Sequence, residues 1–436
     1  MFINRKKELE ALKDEYNSKR ASFSVVYGRR RVGKTALLSQ FIRNKKHIYL
    51  YITQSDLKSQ LQSFTIQIKQ FVDEALAPHL SFSSFEEAIE FLTSLQIEKK
   101  LILVIDEYQY LTTLDKAFSS KLQRLWDEKI QHSNIYLILC GSVLSMMQSE
   151  VLNYSAPLYG RRTSQFHIKS VKFRHIKEFL PKLTKLEQMQ VFSSFGTIPK
   201  YLNEYDQDLN FMQNIERKIL NKNSYLYSEG NFLLKNEISD SATYFSILES
   251  ISKGNTKIGH IASSLNVTST HLTKYLKKLM ALDIVFKETP VTDTNPLKSK
   301  FGRYKIKDKF LAFWFYYVFK NYNYLEIEQT RAVLQEIDLN FNDRFVSFAF
   351  EDFVIEDIWE NPKKYLDFQP LKVGRWWNNK EEIDIVAFDD ENITFIECKW
   401  QENVKKESVK NKLIAKAINI KHNKIAAYLV VTKNML

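Results

Sequence analysis

An α/β fold in several parts is predicted by three stretches of this 436-residue sequence. At 22–42, "SFSVVYGRRRVGKTALLSQFI" sets an apolar, β-rich run before a glycine-bracketed loop and a run with helical spacing. At 101–106, "LILVID" has no polar alternation, which marks a parallel strand buried on both faces. Near the C-terminus, "EEIDIVAF" and "NITFIECK" place carboxylates inside two apolar strands. Together they predict a parallel sheet clothed in helices, then a helical middle, then a small α/β unit.

Composition narrows the class. A hydrophobic content of 44 % is that of folded domains, and a formal charge of +12 is compatible equally with an acidic partner, nucleic acid (DNA) first, and with simple solubility. The two cysteines, Cys140 and Cys398, fall far apart in strand-like runs, which argues against a disulfide framework or a zinc site and fits a reducing cytoplasm. No apolar run reaches the 18 or so residues of a spanning helix, and "MFINRKKELE" lacks a signal-peptide core, so no membrane partner is expected. Oligomeric state is not readable from the sequence.

The first element is strand, loop, helix. The spacing Gly28-x4-Gly33-Lys34-Thr35 is the phosphate-loop pattern in its required context. Backbone N–H groups from Gly28 through Arg29, Arg30, Arg31, Val32, Gly33, Lys34, Thr35 and Ala36 would face the phosphates of ATP, with Lys34 at the β and γ groups and the Thr35 hydroxyl on Mg2+. The three arginine side chains point away from the nucleotide in an ordinary loop, toward a partner or another part of the chain. The second element ends in Asp106 and Glu107 at the C-terminal edge of a sheet, where ligands collect. Asp106 is the expected magnesium residue, and Glu107 is placed to orient or deprotonate the attacking water. The next strand, "IYLILCGS", ends in Ser142, where a γ-phosphate sensor would sit. In "PLYGRRTSQFHI", Arg161 and Arg162 are candidates to stabilise charge developing at transfer, weighed against ordinary surface arginines.

With "FINRKKELEAL", "YGRRRVGKT", "VIDEYQYL", "CGS", "LYGRR" and "GTIPKYL" in that order, the first 205 residues resemble the predominantly archaeal ATPase family, signal-transducing P-loop ATPases with an extra strand between the loop strand and the strand carrying Asp106. The resemblance implies that Asn4 and Arg5 lie near the base or sugar and that Pro199 closes the pocket through a helical lid.

A helical linker or lid is expected over 206–238. Over 239–325, three short helices lead into a hairpin, the description of a winged helix, with Leu272, Leu276 and Leu279 on the inner face of the third helix and a basic wing at Lys298, Lys300 and Arg303. Such a module either reads DNA through that helix and wing or serves as a regulatory docking piece. The aromatic run "FLAFWFYYVFKNYNYLE" is too short to span a bilayer and reads as core.

In the last part, 326–436, Glu397 and Lys399 share one strand face while Cys398 points away, and Asp384 comes from the preceding strand. A carboxylate on each of two neighbouring strands can bind one Mg2+, with the lysine orienting water or neutralising phosphate. This constellation resembles the PD-(D/E)XK nuclease superfamily, and "FAFEDFV", "VGRWW" and "EIDIVA" resemble the domain that often follows these archaeal-type ATPases. Asp384, Glu397 and Lys399 match that motif, with Glu351 as a helix contribution; Trp376 and Trp377 read as packing residues. Any element after "VVTKN" is expected to be short or absent. The expectation is an ATP-driven switch coupled to a restriction-type, metal-dependent nuclease-like effector; the alternative is a non-nucleolytic ATP-dependent regulator that binds DNA or a protein through its winged helix.

Overall fold

The computed structural model describes residues 3–72, 76–235, 237–238 and 242–436. Phe2 of the opening motif and the expected boundary at Ser239 lie outside the described residues. The chain divides into two units, residues 1–171 with 198–200, and residues 172–197 with 201–436.

The first unit is built on five parallel strands: β1 (Ser22–Tyr27), β2 (His47–Tyr51), β3 (Leu101–Asp106), β4 (Ile135–Gly141) and β5 (Ser164–His167). Their order is β2-β3-β4-β1-β5, so β4 lies between the loop strand and the strand ending in Asp106. Every residue of β3 and β4 is buried. The two-residue period sends Leu103, Ile105, Leu137 and Leu139 into one apolar layer and Ile102, Val104, Tyr136, Ile138 and Cys140 into the other. That is why the run at 101–106 shows no polar alternation. Leu37, Leu38 and Phe41 of the helix Lys34–Ile42 close the second layer. Each such side chain contributes roughly 1.5–3 kcal/mol on burial, which anchors the first turn of that helix against the sheet.

In the second unit, helices Ala242–Ser252, Ile258–Ser264 and Ser269–Ala281 precede an antiparallel hairpin, β6 (Val285–Glu288) and β7 (Arg303–Ile306). Thr268 caps the third helix by accepting from His271 N–H, and Leu272, Leu276 and Leu279 are its buried residues, as the spacing requires. The aromatic run is core: Phe310, Phe313, Trp314 and Tyr317 are fully buried, and Trp314 Nε1 donates to Tyr227 O at 2.8 Å. A mixed sheet follows the helix Ser347–Glu360, made of β8 (Lys372–Trp377), β9 (Glu382–Phe388), β10 (Asn392–Lys399) and β11 (Ile425–Thr432) in the order β11-β10-β9-β8. β8, β9 and β10 run antiparallel in turn, while the helix Lys406–Ala417 returns the chain so that β11 lies parallel to β10. Trp376 and Trp377 are buried packing residues, and both cysteines are free and buried.

The expected basic wing is partly engaged. Arg303 pairs with Glu382 at 2.8 Å and its guanidinium lies 4.3 Å from the Trp377 ring centre. Val291 N–H donates to Arg375 O at 2.9 Å, and Trp377 Nε1 donates to Phe301 O at 2.9 Å. The hairpin thus packs on β8, and the Arg303 charge meets a carboxylate of the chain rather than standing free for a phosphate. Lys298 and Lys300 are exposed. Among the described residues no helix is long and apolar enough to cross a membrane.

Candidate functional site

The loop at 28–33 leaves the C-terminal end of β1. A side chain at Gly28 would place its Cβ 2.2 Å from the Ile168 carbonyl oxygen, and Gly33 takes a φ of 93°, so both positions need glycine for distinct reasons. Lys34 opens the helix and is 6 % exposed. Its Nζ donates to the carbonyls of Gly28 (2.9 Å) and Arg29 (3.0 Å), which curls the loop around the ammonium. Burial holds its pKa below the ordinary lysine value against the opposing pull of Cys140, Glu107 and Asp106.

Asp106 collects donors. Thr35 Oγ1 donates to Asp106 Oδ2 at 3.2 Å, Tyr49 OH donates to the same oxygen at 2.5 Å, and Glu107 N–H donates to Oδ1 at 2.9 Å. Two hydroxyls and a carboxylate on one point are the hard oxygen donors that suit Mg2+. Tyr49 is missing from the sequence-based set; it reaches the site from β2, 57 residues away, and its phenol is pushed up by burial and then by the Asp106 charge. Glu107 adopts a left-handed backbone, φ 56°. Ser142 Oγ donates to Glu107 Oε2 at 2.7 Å, and Gln109 Nε2 donates to the same oxygen. The strand ends therefore bring Lys34, Thr35, Asp106, Glu107 and Ser142 to one edge of the sheet.

Other expected residues lie elsewhere or serve differently. Arg5, 6 % exposed, donates to Val32 O at 3.1 Å and to Lys169 O, and pairs with Glu8 at 3.2 Å. Its guanidinium is committed to the loop backbone, and Asn4 precedes it with a φ of 64°. Arg30 donates to Tyr110 OH at 2.8 Å, so this arginine does contact another part of its chain, and Val32 is buried. Ile198–Lys200, including Pro199, groups with the sheet-bearing unit. Arg161 is a correction. It precedes β5, whose Ser164 pairs in parallel with Ser24, so it sits at the N-terminal edge of the sheet, opposite the loop. There it forms a two-point pair with Asp127, at 3.2 and 3.0 Å, while Arg162 donates to Val151 O at 2.8 Å. A six-residue strand spans about 20 Å, so neither arginine reaches the loop of its own chain.

The second unit holds the other acidic constellation. β9 and β10 pair through Ile385 and Ile396, which sets Asp384 and Glu397 on neighbouring strands. Asp384 Oδ2 accepts from Cys398 N–H at 2.8 Å, and Lys399 Nζ donates to Glu397 Oε1 at 3.0 Å. From the crossover helix, Lys416 Nζ reaches both Glu397 oxygens at 3.2 and 3.3 Å; the sequence gives no local sign of this partner. Burial, then the Glu397 charge, pushes the Asp384 carboxyl up to about 6. For Lys399, burial opposes the charged form, but the bond to Glu397 and its charge outweigh it and raise the pKa. Glu351 is held by Arg375 at 2.8 Å, and that buried guanidinium is shared with Glu288 (3.0 Å) and Asp352 (2.7 Å). Burial therefore outweighs the Arg375 attraction and pushes Glu351 up to about 7. Among the described residues no group of three or more His, Cys, Asp or Glu side chains is arranged to hold a metal ion.

Residues 2–205 match the family described as an ATPase domain predominantly from Archaea, and residues 314–412 match one described as archaeal and bacterial proteins of unknown function. An uncharacterized protein of Methanocaldococcus jannaschii is 36 % identical over 405 residues, covering 92 % of this chain and 88 % of that protein. An uncharacterized ATP-binding protein of the same organism is 54 % identical over 46 residues, 11 % of this chain and 78 % of that protein. In structure the chain is similar to a Walker-type ATPase of Pyrococcus abyssi, with a TM-score of 0.54 and 19 % identity over 72 % of this chain and 96 % of that one.

Proposed function

The chain belongs to the family of P-loop ATPases found predominantly in Archaea and is an ATPase, and from that premise we propose that ATP turnover governs a nucleic-acid-directed, metal-dependent effector in its C-terminal part. At the loop, backbone N–H groups from 28 to 36 bind the phosphates and Lys34 turns from its own carbonyls to the β and γ oxygens. Thr35 and Asp106 would hold Mg2+, an assignment supported by the Thr35 hydroxyl lying against the Asp106 carboxylate. When bound, such an ion would supply charge neutralisation at the phosphates. Glu107, steadied by Ser142 and Gln109, orients the attacking water and takes its proton.

The observation that carries the effector reading is Asp384 beside Glu397 on adjacent strands, with Lys399 on the second carboxylate. Burial and like charge raise Asp384, and a divalent cation between the two would relieve both. The residues thus fit such an ion as two acidic ligands, with water or substrate oxygens as the rest. Lys399 is then placed to orient water or neutralise a phosphate.

One observation favours the alternative, a regulator that binds without cleaving. Lys399 and Lys416 together already balance Glu397. The deciding experiment incubates plasmid and single-stranded DNA with magnesium or manganese, with and without ATP, comparing the parent with Asp384→Ala and Lys399→Ala. Cleavage by the parent that both variants lose is the expected result. A parent that cuts neither DNA under any of these conditions leaves the regulator.

A further inference from the structure

The edge of the parallel sheet opposite the loop carries a second feature. The turns that lead into β1, β2, β3 and β4 enclose a cavity of about 620 Å³, lined by Lys45, Lys46, Lys99 and Lys100 with Glu98 as its carboxylate. Lys13, Lys19, Arg20 and Arg43 are exposed on the same turns and the adjoining helix ends. Lys100 is structural: it is 6 % exposed and its Nζ donates to the carbonyls of Glu15 (3.1 Å), Ser18 (2.7 Å) and Arg20 (2.7 Å). Lys45 Nζ likewise donates to Phe41 O, whereas among the described residues Lys13, Lys46 and Lys99 make no such bond. Lys13, Lys45, Lys46 and Lys99 form no ion pair with a described residue, whereas Lys121, Lys182, Lys253 and Lys320 each face a carboxylate within 3 Å. Lys45 lies over the Phe41 ring at 4.6 Å, and its pKa is lowered by burial and then by the Lys13 charge, so the two cations repel one another there.

The platform is fixed before anything binds. Ile102 N–H donates to Lys46 O at 3.1 Å, Leu101 N–H donates to Asn134 O at 3.0 Å, and Asn134 Nδ2 donates to Ile97 O at 3.0 Å. Cations standing on ordered turns bind a polyanion without first having to order their backbone. Spread over three turns, they exceed what one small phosphate can meet. A membrane surface would ask for apolar side chains to insert beside the lysines, and the cavity offers chiefly the half-buried Tyr16.

We propose that this lysine-lined cavity is a nucleic-acid backbone site on the ATPase unit, separate from the nucleotide loop at the other end of the strands. It rests on the nucleic-acid partner of the functional reading but not on cleavage. The test is fluorescence anisotropy of a labelled DNA duplex with the full chain in EDTA, so that cutting cannot enter, over a series of salt concentrations. Lys46→Glu with Lys99→Glu changes two exposed residues and leaves Lys100 intact. It is expected to weaken binding about tenfold or more and to reduce the salt slope by about two phosphate contacts, with ATP turnover unchanged. Lys298→Glu with Lys300→Glu makes the same charge change on the hairpin and should cost less. Parental affinity in the cavity variant, or an equal loss in both variants, overturns the site while leaving a nucleic-acid partner elsewhere. Absence of binding by the parent at every salt concentration overturns the site and that partner together. A cavity variant that loses phosphatidylserine vesicles but keeps DNA assigns the lysines to membranes and overturns the proposal.

Discussion

At the scale of single residues, chemistry and stability pull apart. Lys34 is buried among carbonyls at the head of its helix, and its tip can be removed without disturbing the apolar layer beneath. Lys34→Ala is expected to abolish ATP binding by calorimetry while the circular dichroism spectrum and unfolding midpoint stay close to the parent; retained affinity would take the nucleotide away from this loop. Asp384 shows the conflict more directly. Its folded pKa, about 6, stands above the ~3.9 of an exposed aspartate. The folded chain therefore holds the extra proton between those values, and the contribution of this group to stability is full below about pH 4 and lost as pH rises through 6. Asn at this position can still accept the Cys398 N–H. Asp384→Asn should thus be more stable than the parent by about 1–3 kcal/mol at pH 7.5, with the gain vanishing near pH 4. Urea titrations at the two pH values check this, and an equal effect at both would mean that the carboxylate charge is not the source.

At the scale of elements, the β6–β7 hairpin and β8 form a single construction around Arg375. Its guanidinium is 3 % exposed and reaches one carboxylate on the hairpin and two on the helix Ser347–Glu360. Removing the cation would leave the buried Glu351 without its partner, while Glu288 keeps Lys305 and Asp352 keeps Lys309. Arg375→Met is expected to destabilise the chain by about 3–5 kcal/mol, read by urea unfolding, and a loss below about 1 kcal/mol would show that the cluster is solvated in solution. Little of this construction is legible in sequence. The helical spacing of Leu272, Leu276 and Leu279 announces their burial, because it is a local pattern. Nothing local announces that Arg303 will meet Glu382, 79 residues on, and turn a presumed phosphate contact inward.

At the scale of the molecule, what can be read in advance is what the strand ends collect. Lys34, Thr35, Asp106, Glu107 and Ser142 are each adjacent to an apolar strand, so a parallel sheet brings them to one edge. Arg161 is misread for the complementary reason: a turn next to a short strand does not say which end of the sheet it occupies. Only the pairing of β5 with β1 decides that. Tyr49 and Lys416 escape because their partners depend on strand order and on a crossover, which no short stretch encodes. The same strand order bears on biosynthesis. β1 emerges early from the ribosome, but both of its neighbours, β4 and β5, begin more than a hundred residues later. At ~5–20 residues per second, β1 waits about 5–25 seconds for its first partner. Through that interval its backbone N–H and C=O groups are an open edge, and a nascent chain ending before β4 carries the whole loop motif without the strands that flank it.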